Sequence, residues 1–299
     1  MKTNLFILAA AMTLIFALTG CSSYQVVLLG DLHYDTLDSH GDISKRHEET
    51  QYAIKRNVEA WKTTVPDLLE RSGKHKTPEF SIQLGDLVEG GFETADDHKR
   101  VTAEAVEKVT ASQNRPVYFV KGNHDVSATS WRMNDQIRQA YLDVMQPHMN
   151  QLCQVENKTN QVNYSKMING DLYIFFDNSM DFAKKALTSH PEARYVFFVT
   201  HLPVLPCANG WSASWVVNGS TKNQSANRAE LFSLLAKRNA VILAAHTHNS
   251  TIIQCETEEG TVTQLSVFSQ PKVQDDNFSI KKYTGKEYFT PELCSITDK

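Results

Sequence analysis

Five short polar clusters, spread along a chain of 299 residues, carry groups able to bind cations and move protons. They are Asp31-Leu32-His33, Gly85-Asp86, Gly122-Asn123-His124-Asp125, His201 and His246-Thr247-His248. In extended chain, residues i and i+2 project to the same side, so Asp31 with His33, and His246 with His248, can share one cation. Gly122 permits a tight turn ahead of three polar groups. Taken singly, each cluster has an ordinary explanation: a Gly-Asp turn, a solvated histidine, a buried histidine satisfied by hydrogen bonds. Taken together they supply two carboxylates, an amide and several imidazoles, a donor set that suits zinc, iron or manganese rather than calcium. One carboxylate has two oxygens and can bridge two cations. Two cations roughly 3.5–4 Å apart are the usual arrangement for hydrolysing phosphate esters.

The elements that must position these groups show as an alternation. Each cluster follows an apolar run that reads as a buried strand: Gln25–Leu29, Phe80–Leu84, Val117–Val120, Tyr195–Val199 and Val241–Ala244. A further strand is expected at Leu172–Phe176, and Val262–Phe268 alternates like an antiparallel strand. Helical spacing covers Arg46–Leu69, with Pro66 marking a break or a new start, then Thr94–Thr110, Asn134–Val144 and Asn227–Lys237. Strands alternating with helices predict an α/β layered fold, in which ligands gather beyond the carboxyl ends of the strands. No repeat, linker or second domain is visible, so residues 21–299 are expected to form one domain.

Apolar residues make up 41% of the chain, which predicts a packed core. The net charge is −4 with no Lys/Arg run, so no nucleic-acid partner is expected. The first twenty residues read as a signal peptide: Lys2, an apolar run from Leu5 to Leu18, then Thr19-Gly20 before Cys21. Leu18-Thr19-Gly20-Cys21 resembles the bacterial lipobox, which implies cleavage before Cys21, acylation of its sulfur and a lipid-anchored place in the bacterial cell envelope. Ser22, rather than Asp, resembles the pattern that permits outer-membrane sorting. Cys153, Cys207, Cys255 and Cys294 leave two readings open, a pair of disulfides or buried thiols, and none has zinc-site spacing.

The clusters, as Gly30-Asp31-Leu32-His33, Gly85-Asp86, Gly122-Asn123-His124-Asp125, His201 and His246-Thr247-His248, resemble the five motifs of the calcineurin-like metallophosphoesterase superfamily, over roughly Val26–Ser250. The resemblance implies a four-layer α/β/β/α sandwich and a binuclear, metal-dependent phosphoric ester hydrolase. Asp31, His33 and His248 would hold one metal ion, Asn123, His201 and His246 the other, and Asp86 would bridge them. A hydroxide between the two cations would attack phosphorus in a phosphomono- or phosphodiester. His124 would stabilise or protonate the leaving oxygen, with Asp125 fixing its tautomer.

Two positions depart from the pattern or vary within it. Glu89 stands three residues after Asp86, a place that is not a metal ligand in the family, and Ala245 replaces the Gly that usually opens the last motif. His33 separates the chain from purple acid phosphatases, which use a Tyr after the second-motif Asp instead. Weaker candidates are Tyr34 and Asp35 as pocket lining, Trp211 and Trp215 as a substrate cover, and Asn227 and Arg228 as phosphate contacts at a helix start. His47 reads as solvated surface. The rival readings are a metal hydrolase acting on another bond and a non-catalytic metal-binding surface lipoprotein. The second gives His124 nothing to do.

Overall fold

A computed structural model describes residues 24–129, 134–153, 162–205, 221–248, 250–267 and 279–284. Strands β1 (Gln25–Leu29), β2 (Pro78–Gln83) and β3 (Val117–Phe119) form a small parallel sheet in that order. The larger sheet holds β4 (Tyr164–Ile168), β5 (Asp171–Phe175), β6 (Val196–Val199), β7 (Val241–Ala244), β8 (Thr251–Thr257), β9 (Gly260–Ser266) and β10 (Ser279–Thr284), in the order β10-β8-β9-β7-β6-β5-β4. Its pairs are parallel except β4 with β5 and β8 with β9. Six α-helices lie among the described residues: α1 (Glu48–Ala60), α2 (Thr64–Lys74), α3 (Ala95–Ser112), α4 (Asp135–Cys153), α5 (Met180–Ser189) and α6 (Thr221–Ala236).

The period of two along β5 shows how the layers meet. Tyr173 and Phe175 face the small sheet, where Tyr173 meets Phe80 edge-on at 5.2 Å between ring centroids and Phe175 meets Tyr118 at 5.4 Å. Leu172 and Ile174 point the other way, into a second apolar cluster with Ala183 and Leu187 of α5 and Leu231, Phe232 and Leu235 of α6. The first cluster extends through the small sheet to Val65 and Leu69 of α2 and Val101, Ala105 and Val109 of α3. Each fully buried Leu or Phe in these clusters contributes roughly 1.5–3 kcal/mol of transfer free energy. That is what clamps the two sheets together.

Several boundaries differ from the sequence expectation for local reasons. The helix expected over Arg46–Leu69 is two helices, α1 and α2. Pro66 sits in the first turn of α2, where its missing N–H would have had no intrahelical acceptor. Helix α4 runs on through Pro147 to Cys153, well past Val144. Strand β4 was hidden by its polar residues. It pairs with β5 across Asn169-Gly170, whose φ values of +53° and +84° fit a primed hairpin turn. Helix α5 is capped by Ser179, whose hydroxyl accepts from Phe182 N–H. Helix α6 begins at Thr221, so Asn227 and Arg228 lie inside it rather than at its start. The strand expected at Val262–Phe268 is β9, antiparallel to β8 but parallel to β7.

Candidate metal centre

The first three clusters follow β1, β2 and β3, and the last two follow β6 and β7, in sheets where these strands run parallel. Their carboxyl ends therefore share one edge of the domain, and the polar residues after them converge. The tightest convergence surrounds Nε2 of His201. Asp86 Oδ2 lies 3.1 Å from it, Asn123 Oδ1 3.0 Å and His246 Nδ1 3.2 Å. The other nitrogen of His201 donates to the Leu84 carbonyl at 2.9 Å, which turns the Nε2 lone pair into the cluster. Carboxylate, amide oxygen and two imidazole nitrogens thus aim electron pairs at one point, an arrangement that a transition-metal cation satisfies.

A second convergence joins Asp31, His33 and His248. His33 Nε2 and His248 Nε2 are 3.4 Å apart, and His248 Nε2 is 3.9 Å from Asp31 Oδ2. Asp31 and His33 are buried, whereas a quarter of the His248 side chain is exposed. The two groups touch: His246 N–H donates to Asp31 Oδ1 at 3.1 Å, and Asp31 Oδ1 lies 3.6 Å from His201 Nδ1.

The loops that present these groups are unusual in backbone. His33, Asp86, His246 and His248 have φ of +46°, +50°, +66° and +54°. This left-handed conformation costs a non-glycine residue on the order of 1–3 kcal/mol and concentrates at functional sites. Packing supplies the restraint. Asp86 carbonyl accepts from both Leu32 N–H and His33 N–H at 3.0 and 2.9 Å, and the Trp61 indole donates to the Leu32 carbonyl at 2.8 Å. Two glycines make room: a Cβ on Gly85 would lie 2.6 Å from the His201 ring, and one on Gly122 only 2.1 Å from Asp86.

Electrostatics match the geometry. Burial opposes charge on His201, but the carboxylates of Asp86 and Asp31 outweigh it and push the imidazole up to about 9. His33 is likewise pushed up to about 9, with Glu89, Asp86 and Asp31 overcoming burial. Burial and the neighbouring His201 pull His246 down to about 4. Burial would raise Asp86, yet His201 and His124 hold it well below the usual carboxylate range. Burial does raise Asp31. The two buried carboxylates therefore demand positive charge, and protons and metal ions compete to supply it.

A family model for calcineurin-like phosphoesterases matches residues 24–250. The chain belongs to the calcineurin-like phosphoesterase family. No curated protein matches its sequence. Solved structures similar in part include a purple acid phosphatase from yellow lupin seeds, with 14% identity, a TM-score of 0.45, and coverage of 82% of this chain and 43% of that one. A dimetal phosphatase from Danio rerio shows 13% identity, a TM-score of 0.47, and coverage of 84% and 89%. A 5'-nucleotidase from Candida albicans shows 13% identity, a TM-score of 0.41, and coverage of 84% and 47%. The chain thus spans under half the length of the lupin and Candida proteins.

Within this calcineurin-like phosphoesterase, His124 stands beside His33, their rings edge to face at 4.8 Å. Its Nδ1 donates to the Glu89 carbonyl at 2.7 Å. That corrects the role expected of Asp125. The two Asp125 oxygens accept instead from Gly122 N–H at 2.7 Å and Val88 N–H at 3.1 Å, so this carboxylate braces the loop rather than setting the tautomer of His124. Sequence neighbours need not touch, and here a turn separates them. Ala245, in place of the usual Gly, is buried and is not among the residues with positive φ, so its methyl is accommodated.

Tyr34 and Asp35 do not line the site. Tyr34 is buried against Trp61 and bonds Glu104 through its hydroxyl, and Asp35 is buried against His40. His47 is exposed, as expected. Cys255 is buried in the second apolar cluster. Trp211, Trp215, Cys21, Cys207 and Cys294 lie outside the described residues, as does the side chain of Cys153. Sequence reading gave no role to three buried groups near the centre: Glu89 and Asn57, joined at 2.5 Å, and His98, whose Nε2 donates to the Asp125 carbonyl at 2.6 Å. Glu89 alone had a signal, its fixed place after Asp86.

Proposed function

We propose that the chain hydrolyses phosphate esters with two transition-metal ions, one held by Asp31, His33 and His248 and one by Asn123, His201 and His246, with Asp86 shared between them. The convergence of Asp86, Asn123 and His246 on His201 Nε2, each within 3.2 Å, carries this reading. When bound, such ions activate water and neutralise the phosphoryl oxygens. The chain's own groups do the rest. His124, whose Nδ1 donates to the Glu89 carbonyl, would pass a proton to the leaving oxygen. The main-chain N–H of His124 donates to Asp86 Oδ1 at 2.8 Å, tying the imidazole's position to that of the shared carboxylate. Asp125, through Gly122 and Val88, keeps the Asn123–His124 turn in place.

The test is hydrolysis of bis-p-nitrophenyl phosphate and p-nitrophenyl phosphate by metal-stripped protein reloaded with manganese, zinc or iron, beside Asp86→Ala. Metal-dependent turnover that the variant lacks is expected, and the preferred ester assigns mono- or diesterase. A folded protein that binds two ions and turns over neither ester with any metal would favour the binding-only reading.

The lipobox resemblance supports a second part of the proposal, anchorage to the bacterial envelope through Cys21. Cys21 is three residues from Tyr24, whose hydroxyl is held by Asp171 at 2.7 Å at the amino-terminal edge of the sheets. A lipid there, within ~10 Å of Tyr24, would hold the metal centre on the edge turned away from the bilayer. That favours envelope or extracellular phosphate esters over lipids of the anchoring leaflet. Labelled palmitate should enter the wild type and not Cys21→Ala; equal incorporation would refute it.

A further inference from the structure

The candidate centre straddles the two sheets. Asp31, His33, Asp86 and Asn123 follow strands of the small sheet, whereas His201, His246 and His248 follow strands of the larger one. Each proposed ion would take ligands from both, so the sheets must be closely aligned at their carboxyl edge. Apolar packing sets the distance between the sheets more than their register, because hydrophobic attraction has no direction. The ring contacts of Phe80 with Tyr173 and of Tyr118 with Phe175 are of that kind. Polar ties are directional. Lys121 Nζ, just after β3, lies 2.7 Å from Asp177 Oδ1, just after β5. The two side chains are 13% and 3% exposed. Close by, the Tyr164 hydroxyl of β4 donates to the Phe119 carbonyl of β3 at 2.7 Å. Asp177 is itself held. Its Oδ2 accepts from Val162 N–H at 3.1 Å and Arg138 Nη2 at 3.3 Å, and its main-chain N–H donates to Asn163 Oδ1 at 2.6 Å. Lys121 stands two residues before Asn123, and Asp177 follows the strand paired with β6, which leads to His201.

We propose that Lys121 and Asp177 form a clasp between the sheets and act as positioning residues, aligning the Asn123–His124 turn with the His201 loop. This rests on the reading of the centre as a metal site. A mostly buried ion pair adds little to stability, since desolvation offsets attraction. What it supplies here is register, a point-to-point contact one strand away from His201. Asn123 Oδ1 and His201 Nε2, the atoms that the clasp aligns, lie 3.0 Å apart. Groups that orient metal ligands from outside the centre are typically worth roughly 10–100-fold in metal affinity. The Asp177 carboxylate meets two cations, so removing the Lys121 charge leaves it paired with Arg138 and bonded to Val162. Lys121→Met therefore takes away the tie without stranding a buried charge.

The experiment compares wild type, Lys121→Met and Lys121→Arg by crystal structures of the metal-free proteins, titration with Mn²⁺ and thermal unfolding. Lys121→Met should unfold near the wild-type temperature, widen the separation of Asn123 Oδ1 from His201 Nε2 beyond hydrogen-bond distance, and weaken Mn²⁺ binding roughly 10–100-fold. Lys121→Arg, which restores a cation opposite Asp177, should recover both. A folded Lys121→Met with the wild-type separation and affinity would overturn the proposal. So would losses that follow a fall in melting temperature and that Lys121→Arg does not recover, the signature of a purely structural role. If Lys121→Met does not fold, Asp177→Asn, which keeps an acceptor for Val162 N–H, carries the same comparison. A wild type that binds no Mn²⁺ would defeat the metal reading, and the Asn123–His201 separation then decides the clasp by itself.

Discussion

The two halves of the centre are built to different tolerances. Around His201 Nε2, three donor atoms from three other loop positions stand within 3.2 Å, and the ring is pinned by main chain. Around His33 Nε2 the nearest ligand nitrogen is at 3.4 Å, His248 is partly exposed, and the far nitrogen of His33 has an ion-pair contact with Glu89 Oε2 at 2.9 Å but no hydrogen bond. The first half is pre-organised by the folding of β2, β3, β6 and β7 and their loops. The second has a partly exposed candidate ligand, His248, and no main-chain hydrogen bond on the far nitrogen of His33. In a pre-organised site little conformational freedom remains to be lost on binding, so the His201 half should hold its ion more tightly.

Variants can break this comparison or sharpen it. The largest effect is expected from Asp86→Ala, which removes the carboxylate next to His201: hydrolysis should drop to background and ion content should fall, measured by ester assay and elemental analysis. Next comes His124→Ala, which should lose about 10²–10⁴ in kcat with both ions retained; loss of an ion would show that His124 is a ligand. His248→Ala should cost one ion only, the one that a chelator removes first from the wild type. Loss of the more tightly held ion would reverse the ranking of the two halves.

The smallest effect concerns stability rather than turnover. His98 is fully buried, and burial pulls it down to about 4, against 6.5 for an ordinary histidine. Below about pH 6.5 the unfolded chain takes a proton that the folded chain declines. Stability from this group is therefore complete above pH 6.5 and falls as pH drops toward 4, by roughly 3 kcal/mol in all. Thermal unfolding from pH 7 to 4 should show a shallower acid loss in His98→Gln than in the wild type; parallel curves would contradict it.

Much of the candidate centre is legible in sequence because its proposed ligands sit just after apolar strands, where a change from apolar to polar residues marks the strand end. Asp31, Asp86, Asn123, His201 and His246 all follow that rule. The supporting groups do not. Asn57 lies mid-helix and His98 in the first turn of α3, each surrounded by ordinary helical sequence, and only the fold brings them near the centre. Asp125 shows the opposite error, since adjacency to His124 suggested a contact that the turn directs elsewhere. In the fold, continuous apolar strands such as β5 were plain, while β8, whose Thr and Gln residues interrupt the apolar pattern, was not.

The most direct test of the central claim is anomalous diffraction from crystals of the protein soaked in manganese. Two peaks are expected: one within ~2.3 Å of His201 Nε2, Asp86, Asn123 and His246, the other at similar distances from Asp31, His33 and His248. A single peak, or peaks away from these seven residues, would contradict the account.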